Sequence, residues 1–147
     1  KEKLPSINNL RLGETLIRGT ESSYGQQLPG TNSKGWVLQA QIIEIKEKPS
    51  VPVEETGLDA FGHEPVFVDR GVRKRALIAL GKQDIVNESL NPVDKDIIVL
   101  GGSSDHTILD ISDCQKDYQV GDIVEFTLDY VGVLMTCTSE YVDVEII

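Results

Sequence analysis

The stretch Trp36–Lys46, which reads WVLQAQIIEIK, decides the fold class. Successive side chains of an extended chain point to opposite faces. One face carries Trp36, Leu38, Ala40 and Ile42, and the other carries Val37, Gln39, Gln41 and Ile43. This alternation predicts a β-strand.

Outward from this strand toward the C-terminus, apolar runs alternate with turn signals. Pro49, Pro52 and Gly57 mark turns, and Gly121 supplies the flexible position of a turn into a strand. Further strands are predicted at Arg75–Leu80, Ile97–Leu100, Thr107–Ile111, Asp122–Asp129, Val133–Thr136 and Tyr141–Ile147. Seven short strands separated by Gly, Pro and Asp favour a mainly β fold, a small barrel or sandwich.

Toward the N-terminus the pattern is different. Residues 7–13, INNLRLG, predict a short strand that ends in a glycine, and Glu14–Arg18 predicts one or two helical turns before Gly19. Thr20–Gly35 is rich in Gly, Ser, Gln, Asn and Pro and predicts a connecting loop. We therefore expect residues 1–19 to be the end of a larger α/β domain, residues 20–35 a linker, and residues 36–147 a β domain.

Composition limits the classes of function. The chain has 147 residues, 39% hydrophobic content and a formal net charge of −10, which argues against a nucleic-acid partner because phosphate binding needs a basic face. The negative charge either serves solubility or attracts a cationic substrate such as a diamino acid. Apolar runs far shorter than the ~20 residues of a membrane span, no secretory signal in the first residues, and Cys114 and Cys137 as reduced thiols together predict a cytoplasmic protein.

Few motifs suggest chemistry without reference to a family. Ser104, Asp105 and His106 are neighbours on an extended chain and cannot form a proton relay, and the histidines show no metal-ligand spacing. The segment Gly101–His106 is either a solvated turn or a set of backbone N–H groups that hold an anion. Arg11 is either a phosphate-facing residue at a helix start or a surface residue. The strings at 59–63 and 69–75 predict solvated loops or an interface.

Taken together, six ordered strings resemble the C-terminal part of ornithine-racemase-like proteins, a branch of the alanine racemase superfamily. The resemblance runs over nearly the whole chain. The strings are Asn8–Glu14, Lys46–Pro52, Asp59–Gly62, Asp69–Ala76, Gly81–Asp84 and Gly102–His106.

The resemblance implies an architecture. Such enzymes have an N-terminal (β/α)₈ barrel that binds pyridoxal 5′-phosphate, followed by a C-terminal β-barrel or Greek-key domain. Residues 5–18 would be the last strand and helix of the former. The family's Schiff-base lysine would lie outside this sequence, so none of the lysines present is expected to have that role.

The resemblance also implies a cofactor site near the N-terminus. Arg11 matches the arginine that faces the pyridine nitrogen of the cofactor. Gly13 and Glu14 match positions whose backbone N–H groups bind its phosphate. Glu14 departs from the usual apolar residue, and its carboxylate would have to point away from the phosphate.

Two later segments match the substrate end of the family's site. Lys82 stands where the family has the opposite-face acid/base, and Asp84 would be a partner for a diamino-acid side chain. The backbone N–H of Ser104 would meet the substrate carboxylate, with Asp105 and His106 near the mouth of the site. Lys82, His106 and a residue outside this sequence remain open as the second base.

The implied reaction is two-base epimerisation at Cα of a small amino acid, ornithine or another diamino acid. One base from the barrel and one from the partner's C-terminal domain imply a homodimer whose active sites are shared between subunits. Two alternatives remain open. One is another enzyme of the same fold that uses pyridoxal phosphate, a decarboxylase or aldolase, and the other is a non-catalytic β-barrel module for binding or assembly. No nucleic acid and no membrane is expected as a partner.

Overall fold

The computed structural model describes residues 6–53, 57–58, 62 and 66–146. The chain divides into two compact units, Lys1–Trp36 and Val37–Ile147, and each is described by itself. No helix in the described part is long and apolar enough to span a bilayer.

The first unit contains one short helix, α1, at Glu14–Arg18. Gly19 ends it in the left-handed conformation with φ 66°, where an added Cβ would lie 2.8 Å from the Thr31 hydroxyl. The strand predicted at residues 7–13 is wrong, since residues 7–13 form no strand. A strand exists only by hydrogen bonding to a neighbouring strand, and none of the described residues pairs with this segment.

Within the described residues, the second unit is an antiparallel sheet with six strands in the order β3-β6-β1-β2-β5-β4. The strands are β1 Val37–Pro49, β2 Val72–Ile78, β3 Leu90–Pro92, β4 Ile98–Gly102, β5 Thr107–Asp110 and β6 Ile123–Leu128. The 3₁₀ turn Asn87–Ser89, directly before β3, contacts β4, so the two edges of the sheet approach each other in a nearly closed barrel. The predicted mainly β fold is confirmed.

Strand β1 is the centre of this sheet. Its first half pairs with β6 and its second half with β2, and the register with β2 shifts between Ile42 and Glu44. Leu38, Ala40 and Ile42 are buried, while the alternate side chains face outward. The alternation in the sequence therefore predicted both the strand and its two faces.

The core lies on the concave side of the sheet and is apolar. Its fully buried members include Ile42 and Ile78, which are paired across β1 and β2, together with Phe126 on β6 and Leu109 on β5. Burying such side chains contributes about 1.5–3 kcal/mol each. This core holds the sheet in its curved form.

The two predicted strands nearest the C-terminus are wrong. Val133–Thr136 lies in helix α2, Tyr130–Thr136, whose N-terminus is capped by Asp129 accepting a 2.7 Å hydrogen bond from the Gly132 N–H. Short apolar runs do not distinguish helix from strand, and here the cap decides for the helix. Residues 141–146 form no strand, and residue 147 lies outside the described part.

The string Asp69–Arg75 was predicted as solvated loop or interface, and most of it instead enters the sheet. Gly71, with φ 73°, closes the base of the preceding loop, since its carbonyl accepts a 2.8 Å hydrogen bond from the Ser50 N–H. From Val72 onward the residues belong to β2. Of the string at 59–63, only Gly62 lies inside the described residues.

Arg73 on β2 anchors an ion-pair cluster. Its Nε donates a 2.9 Å hydrogen bond to Asp110 on β5, which is almost fully buried, and its terminal nitrogens pair with Asp113. Burial opposes ionisation of Asp110, but hydrogen bonds from Arg73 and Ser112 outweigh it, so the pKa of the Asp110 carboxyl is lowered. The cluster ties β2 to β5 and to the turn that follows β5.

The Asp110 carboxylate should make stability depend on pH. Because its pKa is lower in the folded than in the unfolded chain, its contribution is complete above the ordinary aspartate pKa of about 3.9 and is lost as pH falls through the folded value. Asp110→Asn should cost about 2 kcal/mol at neutral pH and flatten the acid limb of the profile of unfolding free energy against pH. Urea unfolding at a series of pH values measures this. Asp143→Asn, at an exposed position, is the matched control, and an equal acid slope in both variants would contradict the assignment.

The core predicts a contrast between two isoleucines. Ile78→Ala should lower the free energy of unfolding by about 2–5 kcal/mol, because Ile78 is completely buried and the shorter side chain leaves a cavity in the core. Ile123→Ala, on a strand but 44% exposed, should cost at most about 1 kcal/mol. Similar losses for both variants in urea unfolding would contradict the assignment of Ile78 to the core and of Ile123 to the surface.

Candidate functional site

Two segments singled out by sequence, Gly81–Asp84 and Gly102–His106, lie side by side in the structure. The Lys82 N–H donates a 2.9 Å hydrogen bond to the Ser103 carbonyl, and the Gln83 N–H donates a 3.0 Å bond to the Ser104 carbonyl. The first segment follows β2, and the second turns between β4 and β5. Because Ile78 at the end of β2 is paired with Thr107 at the start of β5, both segments lie at the same end of the sheet. The structure thus brings together residues that are about twenty positions apart in sequence.

Gly81 permits this close approach. An added Cβ would lie 2.0 Å from the Ser104 carbonyl oxygen and 2.5 Å from the Asp105 nitrogen, both backbone atoms that cannot rotate away. Gly81 is also buried. A side chain at this position would push the two segments apart.

The segment Gly102–His106 contains the last residue of β4 and the turn, residues 103–106, that leads into β5. The Ser103 N–H donates a 2.9 Å hydrogen bond to the His106 carbonyl, so this N–H is already used within the turn. Ser104 and Asp105 are exposed, and His106 is half-buried. Of the two interpretations left open by sequence, the geometry favours a hydrogen-bonded turn at Ser103 over an anion cradle there.

Asp84 has structural partners for both of its oxygens. It is 4% exposed, one oxygen accepts a hydrogen bond from the Gly81 N–H at 3.2 Å, and the other accepts from the Ser139 hydroxyl at 2.7 Å. Within this chain the carboxylate therefore fixes the turn and ties it to the residues after α2. Its contact with a substrate side chain stays a prediction.

Lys82, the residue directly after Gly81, is half-buried. Its backbone is held by the bond to Ser103, which fixes the position from which its side chain leaves the turn. Thr107, on the other segment, donates a buried 2.7 Å hydrogen bond to the Leu80 carbonyl and so holds His106 beside the same turn. Two side chains able to carry a proton, a lysine and a histidine, thus start from hydrogen-bonded neighbouring segments.

The residues predicted to face the cofactor lie in the first unit. Arg11 is exposed, and Gly13 has open space around it, since an added Cβ would meet nothing within 4 Å. The Glu14 carboxylate pairs with Arg18 at 2.5 Å, one helical turn away. It is therefore held along the helix by a cation.

Sequence reasoning missed two residues that position the site, Ser139 and Thr107. Ser139 meets Asp84 across 55 positions of sequence, and Thr107 meets Leu80 across 27. A lone serine or threonine in a polar stretch gives no signal of such a contact. Among the described residues, no group of His, Cys, Asp and Glu is placed to hold a metal ion.

Gly81→Ala should separate the two segments. The clash with the Ser104 carbonyl should cost at least about 2 kcal/mol and change the amide resonances of Gly102–His106 in ¹⁵N–¹H spectra. Gly57→Ala is the control, because Gly57 has open space around it. Unchanged resonances in Gly102–His106 for Gly81→Ala would mean that the two segments do not touch.

Comparison with known proteins gives a consistent result. No family model matches the chain. It is 47% identical over 148 aligned residues to an ornithine racemase of Acetoanaerobium sticklandii, covering 100% of this chain and 42% of that protein. It is 44% identical over 137 residues to a lysine racemase of Thermotoga maritima, covering 93% of this chain and 38% of the relative.

Solved alanine racemases also align with this chain. Those of Acinetobacter baumannii and Pseudomonas aeruginosa match with TM-scores of 0.44 and 0.41 at 17% and 23% identity, each covering 69% of this chain and 29% of the other. The chain spans about two-fifths of the length of the curated relatives it matches. The resemblance predicted from the ordered motifs is confirmed by the ornithine and lysine racemases: over its whole length, this chain is similar to the C-terminal part of an ornithine racemase.

Proposed function

We propose that this chain is the C-terminal part of a cytoplasmic amino-acid racemase that uses pyridoxal phosphate and epimerises ornithine or another diamino acid at Cα. The observation that carries the proposal is the 47% identity to an ornithine racemase across the full 147 residues. The lysine racemase relative also acts on a diamino acid. The net charge of −10 suits a cationic substrate.

The residues present near the N-terminus fit the cofactor in three respects. Arg11 is exposed and free to face a ring nitrogen, Gly13 leaves its surroundings open, and Glu14 is paired with Arg18 and so need not repel a phosphate. Pyridoxal phosphate, when bound, supplies the electron sink that stabilises charge at Cα. An arginine at its ring nitrogen would limit that sink and favour racemisation over competing reactions.

The second unit would supply the acid/base for the opposite face of the substrate. Lys82 and His106 are the candidates in this chain, and both leave hydrogen-bonded neighbouring segments. Histidine ordinarily exchanges its proton near neutral pH, which suits general acid/base work. On the exposed turn, the Ser104 N–H would bind the substrate carboxylate and Asp105 would lie near the mouth of the site. Asp84 would hold the turn at Gly81–Asp84 in place.

A homodimer follows from this proposal. One base would come from the barrel of one subunit and the other from the C-terminal unit of its partner, arranged head to tail. Each active site would then need both chains. The 147-residue chain alone should be inactive, because the lysine that holds the cofactor would lie outside it.

The test uses the natural full-length gene product with D- or L-ornithine in deuterated water. Both enantiomers should lose the α-proton and interconvert, as followed by proton NMR and chiral chromatography. In a two-base enzyme, replacing the base of one face should lower exchange from one enantiomer by about 10²–10⁴-fold and spare the other. Lys82→Gln and His106→Gln are therefore compared, with the exposed Lys95→Gln as the control.

Three results would contradict parts of this proposal. Loss of carbon dioxide or cleavage of the Cα–Cβ bond would indicate a decarboxylase or aldolase. No bound cofactor in a product of about this chain's size would indicate a non-catalytic module. Symmetric, wild-type exchange in both variants would place the second base elsewhere.

A further inference from the structure

A small basic pocket lies on the outer face of the sheet, and its lining includes no residue of Gly81–Asp84 or of the turn after β4. Its volume is about 40 Å³, and it opens to solvent. Strands β1, β2 and β5 contribute its lining, which consists of Glu44, Lys46, Lys48, Arg75, Leu77 and Ile108. Leu77 and Ile108, directly paired across β2 and β5, form an apolar floor under a charged rim.

The charge of the pocket opposes that of the chain. Its lining has three cations and one carboxylate, an excess of two positive charges, in a chain whose net charge is −10. Glu44 is paired with Lys46 at 2.6 Å, and this hydrogen bond lowers the pKa of the Glu44 carboxyl. Lys48 and Arg75 therefore supply the excess positive charge of the lining.

The strand register places like charges directly opposite each other. Lys46 on β1 is the cross-strand partner of Arg75 on β2, and Lys48 is the partner of Arg73. Arg73 is compensated by Asp110 and Asp113. Like charges in directly opposed positions destabilise a sheet, so the Lys46–Arg75 pair calls for a counter-charge that the lining only partly supplies.

Arg75 also has an unsatisfied donor. One terminal nitrogen donates a 3.1 Å hydrogen bond to the Ser50 carbonyl, but its buried Nε has no hydrogen-bond partner among the described residues. A buried donor left unpaired costs about 1–3 kcal/mol. A bound water or ion is one of the explanations for such a group in a native protein.

We propose that the basic pocket binds a small oxyanion, of the phosphate, sulfate or carboxylate class. One oxygen accepts from the Arg75 Nε, and the ammonium groups of Lys46 and Lys48 contact the others from the rim. The anion screens the opposed cations of β1 and β2 and satisfies the buried donor. The site is separate from the proposed racemase chemistry and does not depend on it.

Inorganic phosphate is the probe for this site. The natural full-length gene product is titrated with phosphate at constant ionic strength, with sodium chloride as the paired titration. The Arg75 Nε–H resonance and the amides of residues 44–48, 75–77 and 108 should shift saturably with phosphate, and chloride should leave them unmoved. Sodium acetate in a third titration distinguishes a carboxylate site from a phosphate site.

Variants locate the binding. Arg75→Gln and Lys48→Gln should each weaken phosphate binding at least tenfold, whereas Lys95→Gln, an exposed lysine elsewhere, should leave it unchanged. Lys48 is exposed on the rim, so its variant tests the site even where Arg75→Gln disturbs the fold. Shifts that chloride reproduces, or equal binding in Lys48→Gln and Lys95→Gln, would overturn the proposal and leave a water at the Arg75 Nε.

Discussion

The hydrogen bonding of β1 to two different strands is the constraint on which the second unit depends. Its first half completes a ladder with β6 and its second half a ladder with β2, so this single strand joins the two halves of the sheet. The register shift between Ile42 and Glu44 lets one strand serve two partners while its apolar side chains still face the core. Bulges of this kind bend a strand and increase its twist, which brings the sheet toward closure.

The candidate site follows from this sheet because its parts are extensions of the strands. Gly81–Asp84 leaves the end of β2. The segment Gly102–His106 contains the turn that joins β4 to β5, and β5 is the neighbour of β2 in the strand order. Backbone hydrogen bonds from Lys82 and Gln83 then lock the two segments together. Backbone contacts of this kind fix the positions from which the Lys82 and His106 side chains start.

The local distribution of charge on the sheet differs in sign from the net charge of the chain. The net charge of −10 conceals a basic strip along β1 and β2, where Lys46, Lys48, Arg73 and Arg75 share one outer face of the sheet. Arg73 is neutralised by two aspartates, while the buried Nε of Arg75 has no hydrogen-bond partner in the part of the chain that the structure describes. Arg73 is therefore part of a structural ion pair, whereas Arg75 is the centre of the proposed anion site.

The sequence alone determined the fold class, five of the strands and the order of the family motifs. Alternation in Trp36–Lys46 and its successors has a direct physical cause, since one face of each strand must meet the core. The strand predictions failed at two places. None of the described residues pairs with residues 7–13 as a strand, and residues 133–136 are a short apolar run that fits a helix as well as a strand. It also missed β3, a strand of only three residues defined by pairing with β6.

Only the tertiary structure decided how the functional residues meet. The close approach of Gly81 to Ser104 and the hydrogen bond from Ser139 to Asp84 join residues that are far apart in sequence. Among the described residues the Nε of Arg75 has no hydrogen-bond partner, and this depends on every group that surrounds it in the fold. Local pattern encodes which face of an element is apolar. Contacts between elements depend on the three-dimensional register of the sheet, which no single stretch of sequence contains.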